Sequence, residues 1–216
     1  MIEKNKKLEE YILKHTGSED EVLKELNRKT NLETFNPRMM CSVLQGKVLQ
    51  MLSNMISANF ILEVGTFTGY SAICLARGLK KGGKLYTIEI NEELAEFSQR
   101  FFHKANLQNE IVLKIGDALK IIPQFTINFD LVFLDANKDR YLEYYKAVFD
   151  KVNIGGYIIA DNVLWDGKVI DENLAKIDSC TKGILEFNKY VHNDKRVENV
   201  IFPIRDGLMV LRKIGN

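Results

Sequence analysis

The chain has 216 residues, 46% of them hydrophobic and 27% charged, which is enough apolar material for one globular domain with a sizeable core. Its 30 lysines and arginines against 29 acidic residues leave a formal net charge of +1, so there is no broad basic field to hold a phosphate backbone, and no nucleic acid partner is expected. The first residues, MIEKNKKLEEYILK, are too charged for a signal peptide and no apolar run approaches a membrane span, which predicts a cytoplasmic protein with no membrane partner.

Residues 1–58 read as a helical N-terminal cap and 59–216 as the α/β core of a single domain. The cap holds three helical segments: NKKLEEYILKHT, then SEDEVLKELNRKT with Ser18 as N-cap and Glu21 three residues on, then MMCSVLQGKVLQMLSNMI. Together they are expected to form an appendage. From residue 60 the texture changes to β-rich runs, FILEVG, KLYTIEI, EIVLKIG, FDLVFLDA and GYIIADN, alternating with helical stretches such as 91–106 and 138–151. Strand alternating with helix predicts a parallel sheet. The final pair, VENVIFPI and GLMVLRKI, is joined by a short RDG and reads as a hairpin that ends the sheet antiparallel. The expected architecture is therefore a doubly wound, mostly parallel α/β sandwich with an antiparallel edge. Cys41, Cys74 and Cys180 have no CxxC spacing and are expected as buried free thiols.

The first strand runs into its helix through ILEVGTFTGYSAICLA, which places Gly65 and Gly69 in the turn where a nucleoside approaches such a sheet. GTFTGY lacks the middle glycine of a dinucleotide fingerprint, which disfavours an NAD-dependent Rossmann dehydrogenase, and no Gly-Lys-Ser/Thr follows to make a P-loop. A nucleoside without a pyrophosphate remains. Glu89 closes the second strand, where a carboxylate accepts from ribose hydroxyls, and Asp117 follows the third, where it can accept from an adenine amino group. Singly, these are a tight turn, a solvated charge and a helix cap; in this order they describe an S-adenosylmethionine pocket.

The segments ILEVGTFTGYSAICLA, LYTIEI, GDA, FDLVFLDANKDRYLEYY and GGYIIADNVLWDGKV resemble the divalent-metal-dependent small O-methyltransferases, the group of caffeoyl-CoA and catechol O-methyltransferases, over about residues 35–213. The resemblance implies a class I methyltransferase fold, a Rossmann-like seven-stranded sheet with its last strand antiparallel. It implies methyl transfer to a hydroxyl of a small catechol-type phenol, and a cofactor site of Glu63, Gly65, Ser71, Glu89, Asp117, Ala118 and Asp135. It further implies a homodimer, for which the apolar residues of 39–56 offer a face, and an acceptor walled by Met40 and Trp165.

The ends of the fourth and fifth strands bring Asp135, Asp161 and Asn162 together as hard oxygen ligands, suited to Mg, Mn or Ca, with no histidine or cysteine to favour zinc. Such a cation lowers the pKa of a coordinated hydroxyl, and a vicinal diol chelates it well. Asp135 and Lys138 are the expected catalytic pair. Lys138, where the chain turns into the next helix, is placed to act as general base, its ammonium form being disfavoured near a cation. The sequence departs from many family members at Asn137, where they carry an acidic residue. A competing reading, a cofactor-binding module that modifies RNA or docks on a protein, needs a basic and aromatic stripe for which the charge balance gives little support.

Overall fold

The computed structural model describes residues 6–171, 173, 176 and 178–216, and among them seven strands make one sheet. These are β1 (Phe60–Val64), β2 (Lys84–Glu89), β3 (Ile111–Ile115), β4 (Phe129–Leu134), β5 (Val152–Ala160), β6 (Val197–Phe202) and β7 (Leu208–Lys213). Their order is β3-β2-β1-β4-β5-β7-β6, with the first five parallel and β7 antiparallel to both of its neighbours. The expected doubly wound sheet with one antiparallel strand is thus present. FILEV and FDLVFL are almost wholly buried, as continuous apolar runs must be in a sheet covered on both faces, whereas VENVIF at the edge is mostly exposed. β5 begins at Val152, earlier than expected, because Gly155 at φ +85 lets the chain bend within the strand.

The helices are α1 (Lys6–Lys14), α2 (Glu21–Glu33), α3 (Val43–Ile56), α4 (Tyr70–Ala76), α5 (Ala95–Lys104), α6 (Ala118–Ile121), α7 (Tyr141–Phe149) and α8 (Ser179–Asn193). One face of the sheet is covered by α2 to α5 through Leu23, Leu26, Leu49, Ile73 and Phe101. The other is covered by α7 and α8 through Tyr141, Tyr145, Phe149 and Phe187, where Tyr141 and Phe187 meet edge to face with centroids 5.5 Å apart.

Three expectations need correction. Ser18 is not the N-cap of α2: Asp20 is, accepting from the Leu23 amide at 3.0 Å while pairing with Arg77 at 2.5 Å. A carboxylate satisfies the free amide and the helix dipole and ties the helix to the core, which a serine two residues earlier does not. Of the N-terminal helices, α2 and α3 are also no appendage, whereas α1 buries no residue. In α3, Gly46 lies so close to α4 that a Cβ there would meet the Tyr70 ring at 2.6 Å and the Cys74 sulfur at 2.9 Å, and Ser53 donates to the Leu75 carbonyl at 2.8 Å. Finally, Cys41 and Cys74 are buried free thiols, but Cys180 is only partly covered, because it lies in the first turn of α8 beside an open cavity. No helix among the described residues is long and apolar enough to cross a membrane.

Candidate active site

The strand order reverses between β1 and β4, which have β2 and β5 on their outer sides, and a crevice opens beyond the carboxyl ends of the strands at such a point. Here it is a cavity of about 1080 Å³. Gly65 enters its floor at φ +103, and a Cβ there would collide with the Asp135 carbonyl, so the residue both turns the chain and lets β1 and β4 converge. The turn it opens delivers the Phe67 amide to Glu89 Oε2 at 2.7 Å, while the Asn91 amide reaches Oε1 at 2.9 Å. Glu89 is thereby clamped at the end of β2, and each carboxylate oxygen keeps a lone pair for a pair of hydroxyls.

Asp117 fills two roles at once. Its Oδ1 accepts from the Leu119 amide at 3.0 Å, capping α6 beside Ala118, and lies 3.6 Å from Arg140, which leaves Oδ2 to accept from an amino group. Glu63, by contrast, does not line the cavity. It is fully buried behind the wall, where Thr87 donates to Oε2 at 2.6 Å. Burial pushes its carboxyl up to about 8, although the hydroxyls of Ser71 and Thr87 favour the charged form. Its Oε1 is buried without a hydrogen-bond partner among the described residues. The clamped Glu89 and the free oxygen of Asp117, both lining the cavity, fit a nucleoside with vicinal hydroxyls and an amino group.

At the neighbouring strand ends, the Asp135 amide donates to the Val64 carbonyl at 2.9 Å and the Asp161 amide to the Leu134 carbonyl at 3.0 Å, so the sheet itself sets the two carboxylates side by side. Lys138 donates to Asp135 Oδ1 at 2.7 Å and to the Tyr141 hydroxyl at 2.8 Å; that hydroxyl donates in turn to the Asp161 carbonyl at 2.9 Å. Asn162, at φ 57, turns its backbone N–H onto Asp161 Oδ1, donating at 2.8 Å. Burial alone would lower the pKa of Lys138, but Asp135, Tyr141 and Asp161 outweigh it, and its ammonium is held well above the ordinary lysine range. The carboxylates favour that ammonium, and the expected disfavouring belongs to a cation beside it. Burial, then Asp135, push Asp161 up to about 7 against Lys138, Gln45 and Asn162.

Two residues missed in the sequence complete the cluster. Buried Gln45 donates from Nε2 to Asp161 Oδ2 at 2.6 Å and accepts from Arg205 at 3.1 Å, and buried Tyr141 holds Lys138. The available signal was a glutamine on the apolar stripe of α3, one turn before Leu49. Among the described residues no group of three or more His, Cys, Asp or Glu is arranged to hold a metal. A cation here would rest on two carboxylates and the Asn162 amide. Their hard oxygens, and the repulsion between the carboxylates that Lys138 offsets only in part, fit such an ion.

The cavity thus collects Gly65, Ser71, Glu89, Asp117, Ala118, Asp135, Lys138, Asp161 and Asn162, with Met40, Trp165 and Asn137 also among its lining residues. Trp165 is steadied by its indole N–H, which donates to Asp178 at 3.3 Å.

Two solved structures share this arrangement of the chain. The O-methyltransferase of Bacillus cereus in complex with SAH has a TM-score of 0.88 and 31% identity, covering 99% of this chain and 100% of that one. TomG, an O-methyltransferase of Streptomyces achromogenes in complex with SAM, has a TM-score of 0.88 and 30% identity, covering 95% of each. Fold and site define an S-adenosylmethionine-dependent methyltransferase of class I. A family model described as O-methyltransferase matches residues 13–214, and caffeoyl-CoA O-methyltransferase 1 of Nicotiana tabacum is 36% identical over 220 residues, covering 96% of this chain and 92% of that protein. The chain belongs to the O-methyltransferase family.

Proposed function

We propose that the protein methylates one hydroxyl of a small catechol-type phenol, with a divalent cation, magnesium or else manganese or calcium, held by Asp135, Asp161 and Asn162. The observation that carries this is the meeting of two carboxylates, an amide and a lysine at the ends of β4 and β5, next to the glycine turn and the clamped Glu89. The tobacco relative, named for a caffeoyl acceptor with adjacent ring hydroxyls, supports the choice of a catechol.

The cofactor would bring an electrophilic methyl on a sulfonium. Glu89 would hold its ribose and Asp117 its adenine amino group, while the turn at Gly65 lets the backbone approach. A hard dication between Asp135 and Asp161 would lower the pKa of a phenolic hydroxyl beside it. Lys138 sits next to that position. In the geometry described it keeps its proton between Asp135 Oδ1 and Tyr141, and it becomes the base for the acceptor's hydroxyl when Asp135 turns its charge elsewhere. Met40 and Trp165 would flank the ring. Exposed Met39, Met51 and Met55, in and just before α3, support pairing with a second copy.

The test is wild-type enzyme dialysed against EDTA and assayed with labelled S-adenosylmethionine on catechols and monophenols, before and after magnesium is returned. Activity on catechols only, lost on dialysis and restored by the metal, is expected. Full turnover in the metal-free enzyme would leave Asp161 and Asn162 as a strand-ending turn.

A further inference from the structure

Beyond its hydrogen bond to Gln45, Arg205 has no assigned part, yet it lines the same cavity. It sits in the turn between β6 and β7 at φ 49, a left-handed conformation that a long side chain adopts only at a cost. The turn is clamped against the segment that follows β5: the Leu164 amide donates to the Asp206 carbonyl at 2.8 Å, and the Val163 amide to that of Gly207 at 3.1 Å. The guanidinium it presents donates to Gln45 Oε1 at 3.1 Å and reaches the Met40 carbonyl at 3.5 Å, both uncharged acceptors. Among the described residues it makes no ion pair with a carboxylate.

Gln45 ties this cation to the reacting centre. Because arginine only donates, Gln45 must turn its oxygen to Arg205 and its amino group to Asp161, where it donates at 2.6 Å. One amide and its two hydrogen bonds therefore separate guanidinium and carboxylate, a span of at most roughly 8 Å. That is about the reach of a hydroxylated benzene ring with a carboxyl group on its far side. The anionic groups of a long thioester conjugate lie much further from the reacting hydroxyl.

We infer that Arg205 binds a carboxylate carried by the acceptor, so that the preferred substrate is a short hydroxylated aromatic acid. The inference rests on the phenol-methylating reading of the cavity. With one N–H committed to Gln45, the guanidinium keeps donors for a carboxylate, the anion its planar fork matches best. A different role, in which Arg205 merely offsets the charge of Asp161 through Gln45, affects every acceptor alike and is separated by experiment.

The test compares wild type and Arg205→Gln on a catechol carboxylic acid, its methyl ester and its coenzyme A thioester, with magnesium present. It reads kcat and KM separately, and also equilibrium binding of acid and ester to enzyme loaded with S-adenosylhomocysteine. Wild type is expected to bind the acid about ten- to a hundredfold more tightly than the ester, the worth of a charge-assisted hydrogen bond or two. Arg205→Gln should erase that preference through a KM rise on the acid that the ester does not share, leaving affinity for S-adenosylhomocysteine unchanged. Equal treatment of acid and ester by wild type, equal losses on both in the variant, or a preference for the thioester would overturn the proposal. Methylation of none of the three by enzyme that still binds S-adenosylhomocysteine would overturn the phenol reading itself, and this one with it.

Discussion

Glu89 shows how a single carboxylate can be prepared for a ligand. Two backbone amides fix its rotamer, so binding costs little ordering, and removing it deletes a charged acceptor for two hydroxyls. Glu89→Ala should weaken S-adenosylhomocysteine binding by about ten- to a hundredfold, measured by calorimetry on folded protein. Unchanged affinity would remove Glu89 from the ribose site. Lys138 poses the opposite problem, since its surroundings hold the proton that a base must lack. Lys138→Met keeps the bulk and removes the nitrogen, so turnover should fall by about a hundredfold with cofactor affinity nearly unaltered. If a pH profile of the variant matches wild type, the acceptor loses its proton to solvent.

The packing of α3 on α4 carries the position of Gln45, and with it the orientation of Asp161. In Gly46→Ala the added methyl meets the Tyr70 ring, which is itself anchored through its hydroxyl to Glu19 at 2.8 Å. Overpacking of this kind costs about 1–3 kcal/mol, more than the roughly 1 kcal/mol that alanine adds to a helix interior, so the melting temperature should drop by several degrees. A variant as stable as wild type would mean that the two helices part without strain. Such contacts were not legible in the sequence. The strands were, because each ends an apolar run on a polar residue: Glu89, Asp135 and Asp161 could be picked out where the run stops, and Asp117 just past one. What an apolar stripe covers is not written in it, so α3 read as part of an appendage and Gln45 went unseen. That Lys138 reaches both Asp135 and Tyr141 is likewise not given by spacing along the chain. Glu63 was rightly placed on β1, but its alternation in the strand did not reveal a side chain set behind the cavity wall.

Stability as a whole should carry the mark of Glu63. Its folded value of about 8 stands above the usual carboxylate value of 4.5, so the folded state holds a proton that the unfolded chain releases. That contribution is fully present below about pH 4.5 and fades as pH rises to about 8. Urea unfolding at pH 5 and pH 8 should therefore show wild type losing more stability than Glu63→Gln, by an amount on the order of a few kcal/mol. Equal losses would show Glu63 ionised in the fold. The place of β7 has a consequence of another kind. It follows β5 and β6 in the chain yet lies between them in the sheet, paired with both. During synthesis β5 therefore stays an open, apolar edge, and β6 has no strand to join, until residues 208–213 leave the ribosome. For that interval the nascent chain displays a ready template for strand addition by other chains.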